Sequence, residues 1–139
     1  GAYATVVGTI PLDDTIPQIS EGVQVMEMYF KPRFATSKLK IQVTVHHDSN
    51  IQRPYTTAIF KDSDVDSLGA VAHSPTSTGQ PATTTFTVWV TAGTTALTRY
   101  SVRMGDYSGQ TINFNGDSAG NRVFGGVSAS SITIEEIKR

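Results

Sequence analysis

The chain has no cysteine. Neither a disulfide staple nor thiolate chemistry is open to it, so its stability has to come from packing or assembly. It also lacks a dominant charge: eleven Lys and Arg stand against twelve Asp and Glu, for a formal net charge of −1. No global positive field draws nucleic acid or an anionic membrane, and neither partner is expected. No stretch approaches the roughly 18 apolar residues of a membrane-crossing helix, and the first residues lack the basic-then-apolar layout of a signal peptide. Membrane insertion is therefore not expected. The sequence opens Gly1-Ala2 rather than with Met, which suggests a fragment or processed product with something ahead of it.

Catalytic signatures are missing too. The sequence has no Gly-x-Ser-x-Gly, no His-Glu-x-x-His, no Walker loop and no dinucleotide fingerprint. Asp13 with Asp14 and Glu135 with Glu136 are sequence neighbours, and no spacing marks one carboxylate as an acid and another as a nucleophile. Neither an enzyme nor a cofactor is expected.

What the sequence does have is hydroxyls and alternation. Nineteen Thr, thirteen Ser and twelve Gly among 139 residues favour sheets and turns, and the length suits one domain, residues 1–139, with a core of its own. Residues 4–10 make a first extended segment ended by Pro11, and a loop containing Pro17 and Gly22 follows. Residues 23–30 are apolar on both faces, so this strand is buried on both sides or lies between a core and a partner. The clearest pattern is LKIQVTV: Leu39, Ile41, Val43 and Val45 point one way, and Lys40, Gln42 and Thr44 the other. That is a sandwich strand with a wet outer face. YTTAIF and SLGAVA form a hairpin around KDSDVDS. In residues 85–91, Phe86, Val88 and Val90 share a face opposite Trp89. Residues 97–104 alternate again, TINF is short, and residues 132–137 close the chain with Ile132 and Ile134 on one face. Eight or more strands with frequent turns predict an all-β antiparallel β-sandwich, for which a jelly roll is a common wiring.

Five segments in order, IPLDDTIPQISEGVQVMEM, ATSKLKIQVTV, AIFKDSDVDSLGAVA, INFNGDSAGNRVFGG and VSASSITIEEI, resemble the carboxy-terminal domain of many tailed-bacteriophage tail-fibre and minor virion structural proteins. The resemblance implies a jelly roll similar to the tumour-necrosis-factor and complement-C1q heads, assembled as a homotrimer at the end of a fibre. It also implies a final strand near the centre of a sheet beside the three-fold axis, where Gly125 and Gly126 permit close backbone approach. An ordinary turn before a strand is the other reading of that pair. Met28, Tyr29 and Trp89 are candidate subunit contacts together with Gly125, Gly126, Ile132 and Ile134, with capping of the core inside one subunit as the alternative for the large side chains.

Two patterns raise metal binding. Asp62, Asp64 and Asp66 alternate like the start of a calcium loop, but Ser67 and His73 stand where that loop needs Gly and Glu, so a solvated hairpin turn is the better reading. His46, His47 and His73 could each supply one ligand on a three-fold axis. The adjacent pair cannot chelate together, however, because neighbours in a strand face opposite ways. Solvent-facing or interface histidines are the plainer reading.

The function expected is noncovalent recognition of a host cell-surface receptor, a glycan or a protein, by a virion-borne trimer that also contacts other virion proteins. Loop residues Asn50, Gln52, Arg53, Tyr55 and Tyr107 are the candidate ligand contacts, combining aromatic platforms with short polar groups. The alternatives are a trimerisation or capping module, a capsid decoration protein, a polysaccharide-degrading enzyme, and a trimeric ligand of the same fold outside phages.

Overall fold

In the computed structural model, residues 1–138 are described. In chain order the strands are β1 Ala4–Val7, β2 Val23–Phe30, β3 Lys38–Asp48, β4 Tyr55–Lys61, β5 Gly69–His73, β6 Ala82–Thr91, β7 Thr98–Asp106, β8 Thr111–Phe114 and β9 Ser131–Ile137, with one 3-10 turn at Phe124–Gly126. Each matches a segment read from alternation, with ends moved by a few residues. Among the described residues no helix is long and apolar enough to cross a membrane.

The strands form two antiparallel sheets. In the first, β3 is central: β6 pairs along one edge, β9 and β8 share the other, and β1 lies outside β8. The second has the order β2, β7, β4, β5. Leu39, Ile41, Val43 and Val45 of β3 are fully buried against Ile59 of β4 and Tyr100, Val102 and Met104 of β7. Each such aliphatic side chain contributes about 1.5–3 kcal/mol by leaving water. Met28, Ile132 and Ile134 are partly buried and pack on this core, which accounts for their apolar character within one subunit.

The final strand is likewise not central. Among the described residues β9 pairs only with β3 and forms an edge of its sheet. Its expected position depended on strand connectivity, which alternation does not encode.

The two outer faces are treated differently. Every residue of β4 except Lys61 is buried, and β7 is buried at all but Arg99 and Arg103, because residues 10–22 fold across that sheet. Arg103 Nε and Nη2 donate to the carbonyls of Glu21 and Gly22 at 2.7 and 2.8 Å. Ile10, fully buried, sits so close to Gly105 that a Cβ there would lie 2.7 Å from the Ile10 nitrogen. The same segment is clipped to the β4–β5 turn: Ile19 N–H donates to Val65 O at 2.8 Å, and Ser67 N–H donates to Pro17 O at 3.0 Å. The outer face of β6, β3 and β9 has no such cover, as its exposed and half-buried outward residues record.

Candidate functional site

Alternation puts the small polar residues of three strands on that open face. Antiparallel register then sorts them into rows. Trp89, Lys40 and Glu135 form one row; Thr87, Gln42 and Thr133 the next; Thr85, Thr44 and Ser131 the third. Thr44 and Thr85 hydroxyls lie 3.3 Å apart, and Lys38 Nζ donates to Thr91 Oγ1 at 2.7 Å. Trp89 is 57% exposed, with the Lys40 ammonium 5.9 Å from its ring centre. An exposed indole beside rows of hydroxyls and an amide can stack on an apolar ring face, while the polar rows exchange hydrogen bonds around its rim.

At the far end of the same strands is a cavity of about 300 Å³, whose walls include His46, Thr83, Asn115, Phe124 and Ser128. Its back wall is braced by hydrogen bonds. His46 N–H donates to Ser130 Oγ at 2.9 Å, Ser130 Oγ donates to Asn115 Oδ1 at 2.7 Å, and Asn115 Nδ2 donates to the Ala2 carbonyl at 2.7 Å. His46 Nδ1 meets Thr83 Oγ1 at 2.8 Å. The front is the turn at Phe124, Gly125 and Gly126, where φ is 51°, 62° and 88°. The amino terminus of Gly1 donates to the Gly126 carbonyl and ties the turn down.

The glycine pair is thus explained by left-handed backbone. A Cβ at Gly125 would meet nothing within 4 Å, and one at Gly126 only the Arg122 side chain. Within the chain the pair makes no close backbone approach, and the left-handed turn accounts for both glycines.

Of the expected subunit contacts, Tyr29 and Trp89 are exposed, but on different sheets. Of the expected ligand contacts, Asn50 and Gln52 are exposed in the β3–β4 loop, where Gln52 Nε2 donates to Thr76 O at 2.8 Å. Arg53 and Tyr107 do come together: the guanidinium lies 5.4 Å from the ring centre, and its Nε is 3.6 Å from Asp106 Oδ2. Tyr55 corrects the expectation outright. It begins β4 facing inward, is 2% exposed, and its hydroxyl is 2.5 Å from His47 Nδ1.

The histidine pair diverges as strand geometry requires. Both residues line the cavity, but the His46 ring meets Thr83 while the His47 ring is buried between Tyr55 and His73, with ring centres 5.0 and 4.9 Å away. Burial first, then the nearby His73 and His46, push the His47 imidazole down to about 3. Burial lowers His73 and raises the Tyr55 phenol. No group of three or more His, Asp or Glu side chains converges as an ion site among the described residues. In the aspartate turn, Asp62 Oδ1 accepts from the Arg99 N–H at 3.0 Å, and Asp66 Oδ1 accepts from Gln18 Nε2 at 2.8 Å. Sequence reading missed Phe124 because an aromatic before Gly-Gly reads as part of a turn. It missed the Tyr55–His47–His73 cluster because no local spacing announces it.

No family model matches the chain. No curated protein matches it either. Among solved structures, the chain is similar to the carbohydrate-binding module CBM4, with 16% identity and a TM-score of 0.53 over 96% of this chain and 71% of the other. That likeness is one of fold: a β-sandwich jelly roll, the architecture expected from alternation and turns.

Proposed function

We propose that the domain binds a glycan noncovalently on the outer face of β6, β3 and β9, without converting it chemically. The observation that carries this reading is the asymmetry of the sandwich. Residues 10–22 cover the β4–β7 part of one outer face and leave Tyr29 of β2 exposed beside it, whereas the other face stays open and carries an exposed Trp89 among hydroxyl and amide rows. An indole exposed in this way contributes little to folding and suits a pyranose ring. The fold it shares with a carbohydrate-binding module is consistent with this. The ordered resemblance of five segments to phage fibre domains supports a setting at the tip of a virion fibre, where three copies would convert weak contacts into avidity.

A second reading, assembly or capping of a fibre without receptor contact, is favoured by β6 itself. It is a ten-residue edge strand with no charged residue and unbroken register, the kind of edge that proteins usually protect. The test joins both readings. Affinity electrophoresis against neutral plant, fungal and bacterial polysaccharides and binding to whole bacterial cells are measured alongside solution mass. Retardation by at least one polysaccharide, lost in Trp89→Ala, supports glycan binding. A trimer that binds none of them and no cells moves the function to assembly.

A further inference from the structure

We infer that the cavity walled by Phe124 is a second ring-binding subsite on the glycan face, so that the ligand is a neutral oligosaccharide long enough to span from Trp89 to Phe124. This rests on the glycan reading and adds a second contact point and a ligand class to it.

Three observations carry the inference. The first is Phe124 itself. The residue is 79% exposed and lines the cavity, while its backbone holds φ at 51°. Left-handed backbone in a bulky residue costs on the order of 1–3 kcal/mol and persists where surrounding structure enforces it. Here the turn is closed by the Gly126 N–H donating to Val123 O at 3.0 Å and the Val127 N–H donating to Phe124 O at 3.2 Å. A strained residue that presents its ring to water has no evident use in folding, but such a ring is suited to stacking.

The second is position. His46 pairs in register with Thr83 at the cavity, and Lys40 pairs with Trp89 at the other end. The six intervening steps along β3 span about 20 Å at ~3.3 Å per residue. The rows between them consist of Thr, Ser and Gln, so a sugar chain lying along the strands keeps hydrogen-bond partners throughout.

The third is charge. Among the described residues no Asp, Glu, Lys or Arg lines the cavity, and the His47 ring at its wall is held neutral by burial. The Trp89 row carries Lys40 and Glu135, which offset each other. A uronic or sialic acid would find no Lys or Arg among the lining residues, whereas a neutral hexose or pentose needs none.

The probes are cello-, laminari-, malto- and xylo-oligosaccharides from disaccharide to hexasaccharide, titrated calorimetrically into wild type, Trp89→Ala, Phe124→Ala and Phe124→Trp. The expected result is an affinity that rises with chain length in at least one series. In that series Phe124→Ala loses on the order of tenfold against the hexasaccharide, the scale of one aromatic contact, and stays within about twofold of wild type against the disaccharide. Phe124→Trp retains hexasaccharide binding, and melting temperatures stay together because the ring is exposed. Hexasaccharide binding that Trp89→Ala destroys and Phe124→Ala leaves intact overturns the second subsite and keeps the glycan reading. Affinity independent of length does the same. No binding by wild type in any series, with no polysaccharide bound in electrophoresis, overturns both.

Discussion

The Lys40 ammonium lies 5.9 Å from the ring centre of Trp89, its register partner across β3 and β6 on the outer face that no chain segment covers. The cation anchors one side of the indole while the other edges stay exposed. An exposed cation–π contact of this kind is worth about 0.5–1 kcal/mol, enough to orient the ring and too little to explain its presence as a stabilising element.

Trp89→Ala is therefore expected to abolish retardation by polysaccharide while leaving stability within about 1 kcal/mol of wild type, as for a surface substitution. Lys40→Ala should weaken binding severalfold at most, through a less ordered indole. Affinity electrophoresis with parallel thermal melts measures both. A Trp89→Ala protein that binds as wild type does would remove the platform from the mechanism.

Acid sensitivity should originate in His47. Its folded imidazole resists protonation down to about 3, whereas an unfolded histidine protonates near 6.5. The unfolded state thus binds more protons between those values, so this contribution is fully present above pH 6.5 and is lost as pH falls toward 3. The full loss is about 4–5 kcal/mol, at about 1.4 kcal/mol per pH unit in mid-window. His73, also lowered by burial, acts in the same direction, while Asp48, raised by burial, acts in the opposite one. Urea unfolding between pH 7 and pH 5 should show a steep fall in wild type and a shallower one in His47→Gln. Equal slopes would mean that the ring is not held neutral by the fold.

How much of this was legible follows from the type of signal. Alternation and turn signals together located the strands; alternation put Leu39, Ile41, Val43 and Val45 inside and Trp89 outside, and gave His46 and His47 different burial. These are properties of a strand with period two. Tyr55 was misread because it opens β4 on the inward face, packed in the core beside His47 and His73, a tertiary placement with no local mark. The edge position of β9 escaped for the same reason: register is local, but neighbours in a sheet are not. The cavity is built from Asn115, Phe124 and Ser128 in the long excursion between β8 and β9, where periodicity is silent.

The cover on the second sheet makes a sharper test of packing. A methyl group at Gly105 would meet the Ile10 nitrogen at 2.7 Å and its Cγ1 at 2.8 Å. Backbone cannot yield as a flexible side chain would. Gly105→Ala should cost about 1–3 kcal/mol as overpacking and raise proteolytic cleavage within residues 10–22, while the remote Trp89 face keeps its polysaccharide binding. Limited proteolysis and a denaturation midpoint decide it. An unchanged midpoint would mean that the segment rides loosely over the sheet.

The aspartate turn separates a structural role from an ionic one. Asp62 holds φ at 50°, accepts the Arg99 N–H through Oδ1 at 3.0 Å and receives Arg99 Nη2 at its carbonyl at 2.8 Å. Asp64 is exposed, and Asp66 is committed to Gln18. Asp62→Ala loses a side-chain-to-backbone hydrogen bond and places alanine in left-handed backbone, so it should destabilise by about 1–2 kcal/mol. Asp62→Asn keeps both the acceptor and a tolerance for that conformation and should recover most of the loss. Asp64→Ala should fall within about 0.5 kcal/mol of wild type. If the turn serves only the chain, millimolar calcium leaves all four melting temperatures unchanged. A calcium-dependent rise in wild type that Asp64→Ala abolishes would show instead that the three carboxylates rearrange around an ion, at the expense of the Arg99 and Gln18 contacts.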